Sequence, residues 1–242
     1  MSQLLYTVGD TVKNGELTPI YKDLNTDIHL LVSGATGTGK SNSLHNIINS
    51  LINQSKIFLI DPKYTELYLW EGYKNIKGLA NNKKDIETML NKVEKLTFER
   101  FQLMRAQRIQ NGCDKFEPII VIVDECHILT GKAKSILCNI ATLGRAAGVH
   151  LILATQKPSA SAFPTVIREQ ALGRISHFVA SRTSSIMALG LSGAQDIPNK
   201  KGLLFYNNIN ENRLESYKMP YFNTESLHPQ QAINNGFYAI FQ

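Results

Sequence analysis

The feature that most constrains the fold is the segment GATGTGKS at residues 34–41. It fits the pattern GxxxxGK[ST] at every fixed position, which is the pattern of a phosphate-binding loop. A short apolar run at residues 29–32 precedes it, and apolar residues at helical spacing follow it over residues 44–52. In such a strand–loop–helix, backbone N–H groups and the helix N-terminus point at one place and attract phosphate. The sequence therefore predicts a nucleoside triphosphate site between a buried strand and a helix.

Individual residues of this loop have expected roles. The residues that would hold the triphosphate are Gly34, Thr36, Gly37, Thr38, Gly39, Lys40 and Ser41. Lys40 would reach the β- and γ-phosphates and the hydroxyl of Ser41 would ligate Mg²⁺, so ATP and Mg²⁺ are the expected cofactors. The alternative is a glycine-rich turn between a strand and a helix with a chance lysine.

A second element, PIIVIVDE at residues 118–125, fits the same site. Its run of β-branched residues predicts a buried central strand, and the two acids would lie at the strand's end. Asp124 would hold Mg²⁺, and Glu125 would polarise the water that attacks the γ-phosphate. An adjacent glutamate is typical of hydrolases of this architecture, whereas a solvated acid in a turn is the alternative. These residues predict a Mg-ATP hydrolase with a RecA-like core.

The order of apolar runs predicts an α/β fold, namely a mostly parallel twisted sheet with helices on both faces. The expected strands are 28–33, 57–61, 118–124, 149–155, 174–180 and 202–206, and the expected helices follow the phosphate loop and occupy 83–109 and 132–144. We expect a short N-terminal segment at 1–27, one domain at 28–221 and a C-terminal tail at 222–242. The tail ends with Phe237, Tyr238 and Phe241, and is either a docking segment or a loosely ordered terminus.

Composition restricts the class of protein less than these motifs do. No run approaches 18 apolar residues, so no membrane span is expected, and the N-terminus lacks the pattern of a signal peptide. Three cysteines without CxxC spacing favour reduced thiols and a cytoplasmic protein over disulfides or a zinc site. The net charge of +6 permits nucleic-acid binding but does not establish it.

Three further stretches make the interpretation more specific. They are IFLIDPKYTEL at 57–67, ERFQLM at 99–104 and GRAAGVHLILATQKPS at 144–159. Together with the two nucleotide motifs and in this order, they resemble the motor domain of the FtsK/SpoIIIE DNA translocases, in the FtsK–HerA superfamily, over residues 28–206. The resemblance implies a homo-oligomeric ring, usually a hexamer, that threads double-stranded DNA and hydrolyses ATP at subunit interfaces.

The resemblance also implies roles for single residues. Arg145 matches an arginine finger given to the neighbouring subunit, and a surface arginine that caps a helix is the alternative. Gln156 matches a γ-phosphate sensor, and a polar strand-end residue is the alternative. Lys157 and Arg168 match basic positions of a pore loop that would grip DNA phosphates.

Other positions leave more than one interpretation open. Arg105 and Arg108 are either part of a second pore loop or the basic end of a helix. The group formed by Asp61, Lys63 and Glu66 is either a turn signal or a subunit-interface or coupling element, without a catalytic role. His127 lies two residues after Glu125, at a position where this sequence departs from the family pattern. It is either a proton carrier or a bystander.

The setting is also left open. We expect no membrane anchor and no DNA-reading domain in this sequence, so direction and location would come from a recruiting protein. Two settings are equally favoured over a chromosome-segregation fragment. One is viral genome packaging, with recruitment to a capsid vertex. The other is plasmid or mobile-element transfer, with recruitment by a relaxase or membrane complex. The alternative from another class is an FtsK-like ATPase of a secretion system that binds polypeptide rather than DNA.

Overall fold

Ten strands form one mixed sheet in the computed structural model, which describes residues 3–227. The strands are β1 Leu5–Lys13, β2 Glu16–Asp23, β3 Leu30–Ser33, β4 Lys56–Ile60, β5 Ile76–Ala80, β6 Ile119–Val123, β7 Val149–Thr155, β8 Gly173–Ser176, β9 Leu203–Asn208 and β10 Arg213–Lys218. The helices are α1 Leu24–Asp27, α2 Lys40–Leu51, α3 Lys83–Gln107, α4 Gly131–Leu143, α5 Thr165–Gln170 and α6 Arg182–Leu189. The order of strands across the sheet is β2-β1-β10-β9-β8-β3-β7-β6-β4-β5.

The predicted α/β architecture is confirmed. Strands β8, β3, β7, β6, β4 and β5 are parallel neighbours, and β9, β10, β1 and β2 extend this part as antiparallel strands. Each of the six strands expected from the sequence exists: β7 has the expected bounds, and the other five have shifted ends. Strands β1, β2, β5 and β10 were not expected. The two long predicted helices correspond to α3 and α4.

Strand β6 shows why a continuous apolar run marks the centre of the sheet. Val121 and Val123 pack in a cluster with α3 and α4, whereas Ile120 and Ile122 pack on the other face in a cluster with α2. Because helices cover both faces, every residue of β6 is buried. Its carboxyl end lies at the edge of the sheet where the phosphate loop begins, since β3, β7 and β6 are parallel.

The N-terminal residues differ from the expectation of a segment that precedes the domain. Strands β1 and β2 form a hairpin, and β1 joins β10 through the pair Asp10 and Lys218. Leu4, Tyr6 and Val8 are buried in the same cluster as α2. The hairpin was missed because its polar and apolar residues are mixed, as expected for a strand pair near the edge of a sheet.

A buried carboxylate fastens this hairpin to the sheet. Asp27 Oδ2 accepts a hydrogen bond from the Tyr6 hydroxyl (2.5 Å). Asp27 Oδ1 accepts from the Tyr206 hydroxyl and from Asn208 Nδ2, both at 2.7 Å. Burial raises the pKa of Asp27, while the three hydrogen bonds oppose that rise. Residues from β1, α1 and β9 therefore share one buried polar network.

Two buried histidines join the central strands to their neighbours. His29 Nδ1 accepts from the N–H of Leu151 (3.0 Å), and His29 Nε2 donates to the carbonyl of Ala141 (2.9 Å). His150 Nδ1 donates to the carbonyl of Ile28 (2.7 Å). Burial lowers the pKa of His29 to about 3 and the pKa of His150 to about 4. Both rings are therefore neutral at pH 7.

We expect the free energy of unfolding to fall as the pH is lowered from 7.5 to 5.5. The unfolded chain protonates these histidines near pH 6.5, whereas the folded chain does not, so acid favours unfolding. Below that pH each histidine removes about 1 kcal/mol per pH unit. Urea unfolding at several pH values measures the slope. His150→Gln should flatten the profile, and a parent profile that is level or rises towards pH 5.5 would contradict this expectation.

Two expectations concern membranes and the tail. No helix within residues 3–227 is both long and apolar enough to cross a membrane. The tail residues Phe237, Tyr238 and Phe241 lie outside the described residues.

Candidate nucleotide-binding site

The backbone of the phosphate loop requires glycine at two positions. Gly37 has φ +80° and Gly39 has φ +114°, which are left-handed values that other residues rarely adopt. A Cβ atom on Gly39 would also lie 3.0 Å from the backbone nitrogen of Gly202. Gly39 is the N-cap residue of α2 and has no side chain to cap the helix. The first N–H groups of α2 therefore face the cleft described next, where they favour an anion.

A cleft of about 410 Å³ opens over this loop. Three groups of residues form its walls. The first part is Ala35, Thr36, Gly37, Gly39, Lys40, Ser41 and Asn42, the second is Glu66 and Gln156, and the third is Lys201, Gly202, Lys218, Met219 and Tyr221. The third part, around β9 and β10, was missed by sequence reasoning. Gly202 after two lysines is a turn signal, but nothing in the sequence places that turn beside the phosphate loop.

Lys40 and the two acids meet as the sequence predicts. The Lys40 ammonium group, 4% exposed, forms a short ion pair with Asp124 Oδ1 and lies 3.5 Å from Glu125 Oε1. Asp124 and Glu125 follow β6, and Lys40 opens α2, so strand order alone brings them together. A bound triphosphate would compete with Asp124 for the charge of Lys40.

Glu125 is held in an unusual conformation. Its backbone is left-handed (φ +50°), and its side chain is 1% exposed. Glu125 Oε2 accepts from the N–H of Gln156 (3.1 Å) and lies 3.1 Å from His127 Nδ1. Glu125 Oε1 lies 3.6 Å from Lys63 Nζ and has no hydrogen-bond partner within residues 3–227. A buried carboxylate oxygen without a hydrogen-bond partner, at a strained backbone position, is typical of a functional group.

The two acids have different electrostatic surroundings. Burial alone would raise the pKa of Glu125, but Lys40, the N–H of Gln156 and Lys63 together lower it. Glu125 is therefore ionised at neutral pH. Burial raises the pKa of Asp124, and Lys40 opposes that rise.

The residues present fit Mg²⁺. The hydroxyl of Ser41 and the carboxylate of Asp124 are oxygen ligands of the kind that Mg²⁺ prefers. Since burial disfavours the charge of Asp124, a cation placed beside this carboxylate would stabilise it.

Two side-chain contacts join the end of β7 to the phosphate loop and to the segment after β6. The Thr36 hydroxyl donates to Gln156 Oε1 (2.7 Å), which joins the phosphate loop to the residue that follows β7. His127 Nδ1 also lies 3.0 Å from the Thr155 hydroxyl, besides its contact with Glu125. Gln156 and His127 are thus both neighbours of the expected general base.

The expected DNA contacts are less closely grouped. Lys157 is exposed directly beyond β7, on the cleft side of the sheet. Arg168 lies on α5, where its guanidinium donates to the carbonyl of Phe163 (3.0 Å) and to the Thr165 hydroxyl (3.1 Å). The structure therefore leaves Lys157 open to solvent, while Arg168 also supports its own helix.

Arg145 lies at the opposite edge of the sheet from the cleft. It is exposed in the 3-10 turn Gly144–Ala147, which precedes β7. At the other end of β7, Thr155 pairs with Ser33, just before the phosphate loop. The seven residues of β7 span about 20 Å, so Arg145 cannot reach the phosphate loop of its own chain. Arg105 and Arg108 are exposed at the end of α3, at this same far edge.

Comparison with known proteins agrees with this site. The FtsK/SpoIIIE family model matches residues 6–119, which include the phosphate loop. The DNA translocase FtsK of Staphylococcus epidermidis (strain ATCC 35984) is 31% identical over 217 residues, which cover 78% of this chain. The chain contains an FtsK/SpoIIIE-family ATPase domain. It spans 27% of the length of that FtsK relative.

Solved structures share the fold of this FtsK-type domain. The conjugation coupling protein TcpA of pCW3, solved with ATPγS, superposes with a TM-score of 0.82 at 22% identity, over 97% of this chain and 71% of TcpA. The cytoplasmic domain of the type VII secretion ATPase EccC of Thermomonospora curvata superposes with a TM-score of 0.77 at 20% identity, over 95% of this chain and 31% of that cytoplasmic domain. Relatives of the FtsK-type domain are P-loop ATPases, and its site is consistent with an ATP hydrolase.

Proposed function

We propose that this domain hydrolyses ATP and that Glu125 activates the attacking water. The observation that carries this proposal is the buried, ionised Glu125 carboxylate, whose Oε1 has no hydrogen-bond partner among the described residues. It stands beside Lys40, the lysine of the phosphate loop. A carboxylate fixed in this way accepts a proton from water without first reorganising.

The other residues of the site bind different parts of Mg-ATP. Lys40 and the first N–H groups of α2 bind the phosphates, and Ser41 and Asp124 hold Mg²⁺. When bound, Mg²⁺ neutralises charge on the β- and γ-phosphates. Gln156 would report the state of the γ-phosphate to the chain beyond β7, and its bonds to Thr36 and to Glu125 support this role.

We propose that ATP is hydrolysed at the interfaces between subunits of a ring, which we expect to be a hexamer. Arg145 cannot reach its own phosphate loop, because β7 separates them. Head-to-tail contact of identical chains brings the far edge of one sheet to the cleft of the next. Arg145 would then stabilise charge on the neighbour's γ-phosphate.

We propose double-stranded DNA as the substrate that this motor moves. Support comes from the 31% identity to a DNA translocase, from the net charge of +6, and from the exposed Lys157 beside the sensor Gln156. Cations that contact phosphates hold any sequence equally well, which a translocating motor requires. Viral genome packaging and mobile-element transfer are the proposed settings, with a capsid, relaxase or membrane component as the recruiting protein.

A second candidate is an ATPase that acts on a secreted polypeptide. The fold of EccC, a secretion ATPase, covers 95% of this chain, so the same architecture serves that class. The two candidates differ in their response to DNA.

Linear duplex DNA is expected to raise the ATPase rate at 50 mM salt, and the stimulation should fade by 200 mM. Two phosphate contacts per subunit predict a loss of about tenfold in DNA affinity over that range. The double variant Lys157→Ala/Arg168→Gln should keep the basal rate and lose the stimulation. ATPase assays with and without DNA measure both.

The matched control is Lys84→Ala/Lys95→Ala, which removes two exposed cations from α3 and should respond like the parent. A parent rate that ignores DNA at both salt concentrations would reject the DNA motor in favour of the polypeptide candidate. Equal stimulation of the Lys157/Arg168 variant and the parent would reject these two residues as the contacts.

A further inference from the structure

The loop after β4 is shaped by one buried carboxylate. Asp61, 1% exposed, accepts hydrogen bonds from five successive backbone N–H groups at residues 63–67, at 2.9–3.2 Å. These bonds wrap the loop around Asp61 and fix the direction of its side chains. Lys63 reaches Glu125 from this loop, and Glu66 enters the wall of the nucleotide cleft. The loop is therefore part of the site and more than a turn between β4 and the next segment.

Glu66 contacts the phosphate-loop helix directly. Its Oε2 lies 3.6 Å from His45 Nε2, and Ser41, one turn before His45 on the same face of α2, lines the cleft together with Glu66. The contact with His45 lowers the pKa of Glu66 most, with further lowering by Ser41 and Lys40. Glu66 is thus a charged acceptor beside the expected metal ligand.

A tryptophan fixes the histidine that supports this acid. Trp70 Nε1, which can only donate, bonds to His45 Nδ1 at 2.9 Å. The Nδ1 atom of His45 must therefore carry a lone pair, and the proton of the neutral ring lies on Nε2, facing Glu66. His45 and Trp70 are 3% and 1% exposed, so the pair is rigid. Glu66 is held in place from behind by buried residues.

We propose that Glu66 is a positioning residue that orients the Ser41 hydroxyl towards Mg²⁺. This inference rests on the proposed function and adds a residue from outside the two nucleotide motifs. A serine hydroxyl that ligates a metal through its lone pair must donate its proton elsewhere. The Glu66 carboxylate is the acceptor for that proton, and loss of such a partner typically weakens metal affinity 10–100-fold.

Glu66→Ala is expected to raise the Mg²⁺ concentration for half-maximal binding of a fluorescent ATP analogue about tenfold. Binding of the same analogue in EDTA should stay at the parental value, because the phosphates contact Lys40 and backbone N–H groups rather than Glu66. Ser41→Ala serves as the reference for a lost metal ligand. The matched control is Glu71→Ala, which removes an exposed acid from the same segment.

The outcomes separate this inference from the function itself. An unchanged Mg²⁺ requirement in Glu66→Ala, while Ser41→Ala raises it, overturns the role of Glu66 and leaves nucleotide binding intact. Equal weakening with Mg²⁺ and in EDTA also overturns it, because Glu66 would then support the loop. Failure of the proposed function would look different: Lys40→Ala would bind the analogue as tightly as the parent.

Discussion

Glu125→Gln is expected to bind ATP like the parent and to hydrolyse it about 10²–10⁴-fold more slowly. Glutamine keeps the size of the side chain, and its amide oxygen can still accept the hydrogen bond from the N–H of Gln156. It cannot take a proton from water. Single-turnover hydrolysis and binding of an ATP analogue measure the two effects separately.

The control for this variant is Glu117→Gln, an acid 49% exposed that pairs with Lys56 away from the cleft. It should hydrolyse ATP at the parental rate. Parental turnover by Glu125→Gln would show that another group activates the water, and loss of binding together with turnover would assign Glu125 to nucleotide binding instead.

Arg145→Ala is expected to lower hydrolysis about 10³–10⁵-fold while each subunit still binds ATP. The full length of β7 separates Arg145 from the phosphate loop of its own chain. The arginine can act only on a neighbour. Mixing Arg145→Ala with Lys40→Ala subunits should therefore restore part of the activity, since an intact site then receives an intact arginine.

The matched control is Arg213→Ala, which removes an exposed arginine from β10 and should leave hydrolysis unchanged. Full activity of Arg145→Ala alone would identify this residue as an ordinary surface arginine. If Arg145→Ala and Lys40→Ala are each inactive alone and no mixture of them recovers activity, the expectation that Arg145 acts between subunits is contradicted.

The sequence predicted the central strands and the nucleotide motifs because these signals are local. A phosphate loop requires glycine at positions such as Gly37 and Gly39, where φ is positive, and a strand covered on both faces such as β6 requires apolar residues throughout. Neither requirement depends on distant parts of the chain. The hairpin of β1 and β2 carries no comparable signal, and its place beside β10 follows from long-range pairing.

The nucleotide site likewise contains residues that the sequence could assign and residues that it could not. Lys40, Asp124 and Glu125 could be assigned from motif and spacing, since parallel strands end at one edge of the sheet. Glu66 could not be given its place, because only the loop wrapped around Asp61 and the support of His45 and Trp70 bring it to Ser41. The distance that keeps Arg145 from its own cleft is likewise invisible until β7 has a length and a direction.

By itself, therefore, the sequence determined the class of fold, the phosphate loop and the acids that meet it, because short-range backbone geometry and burial act on neighbouring residues. The tertiary structure alone decided which distant side chains complete the cleft and which arginine faces away from it. Those facts depend on the order and direction of ten strands, and that arrangement is set by packing over the whole chain rather than by any segment of it.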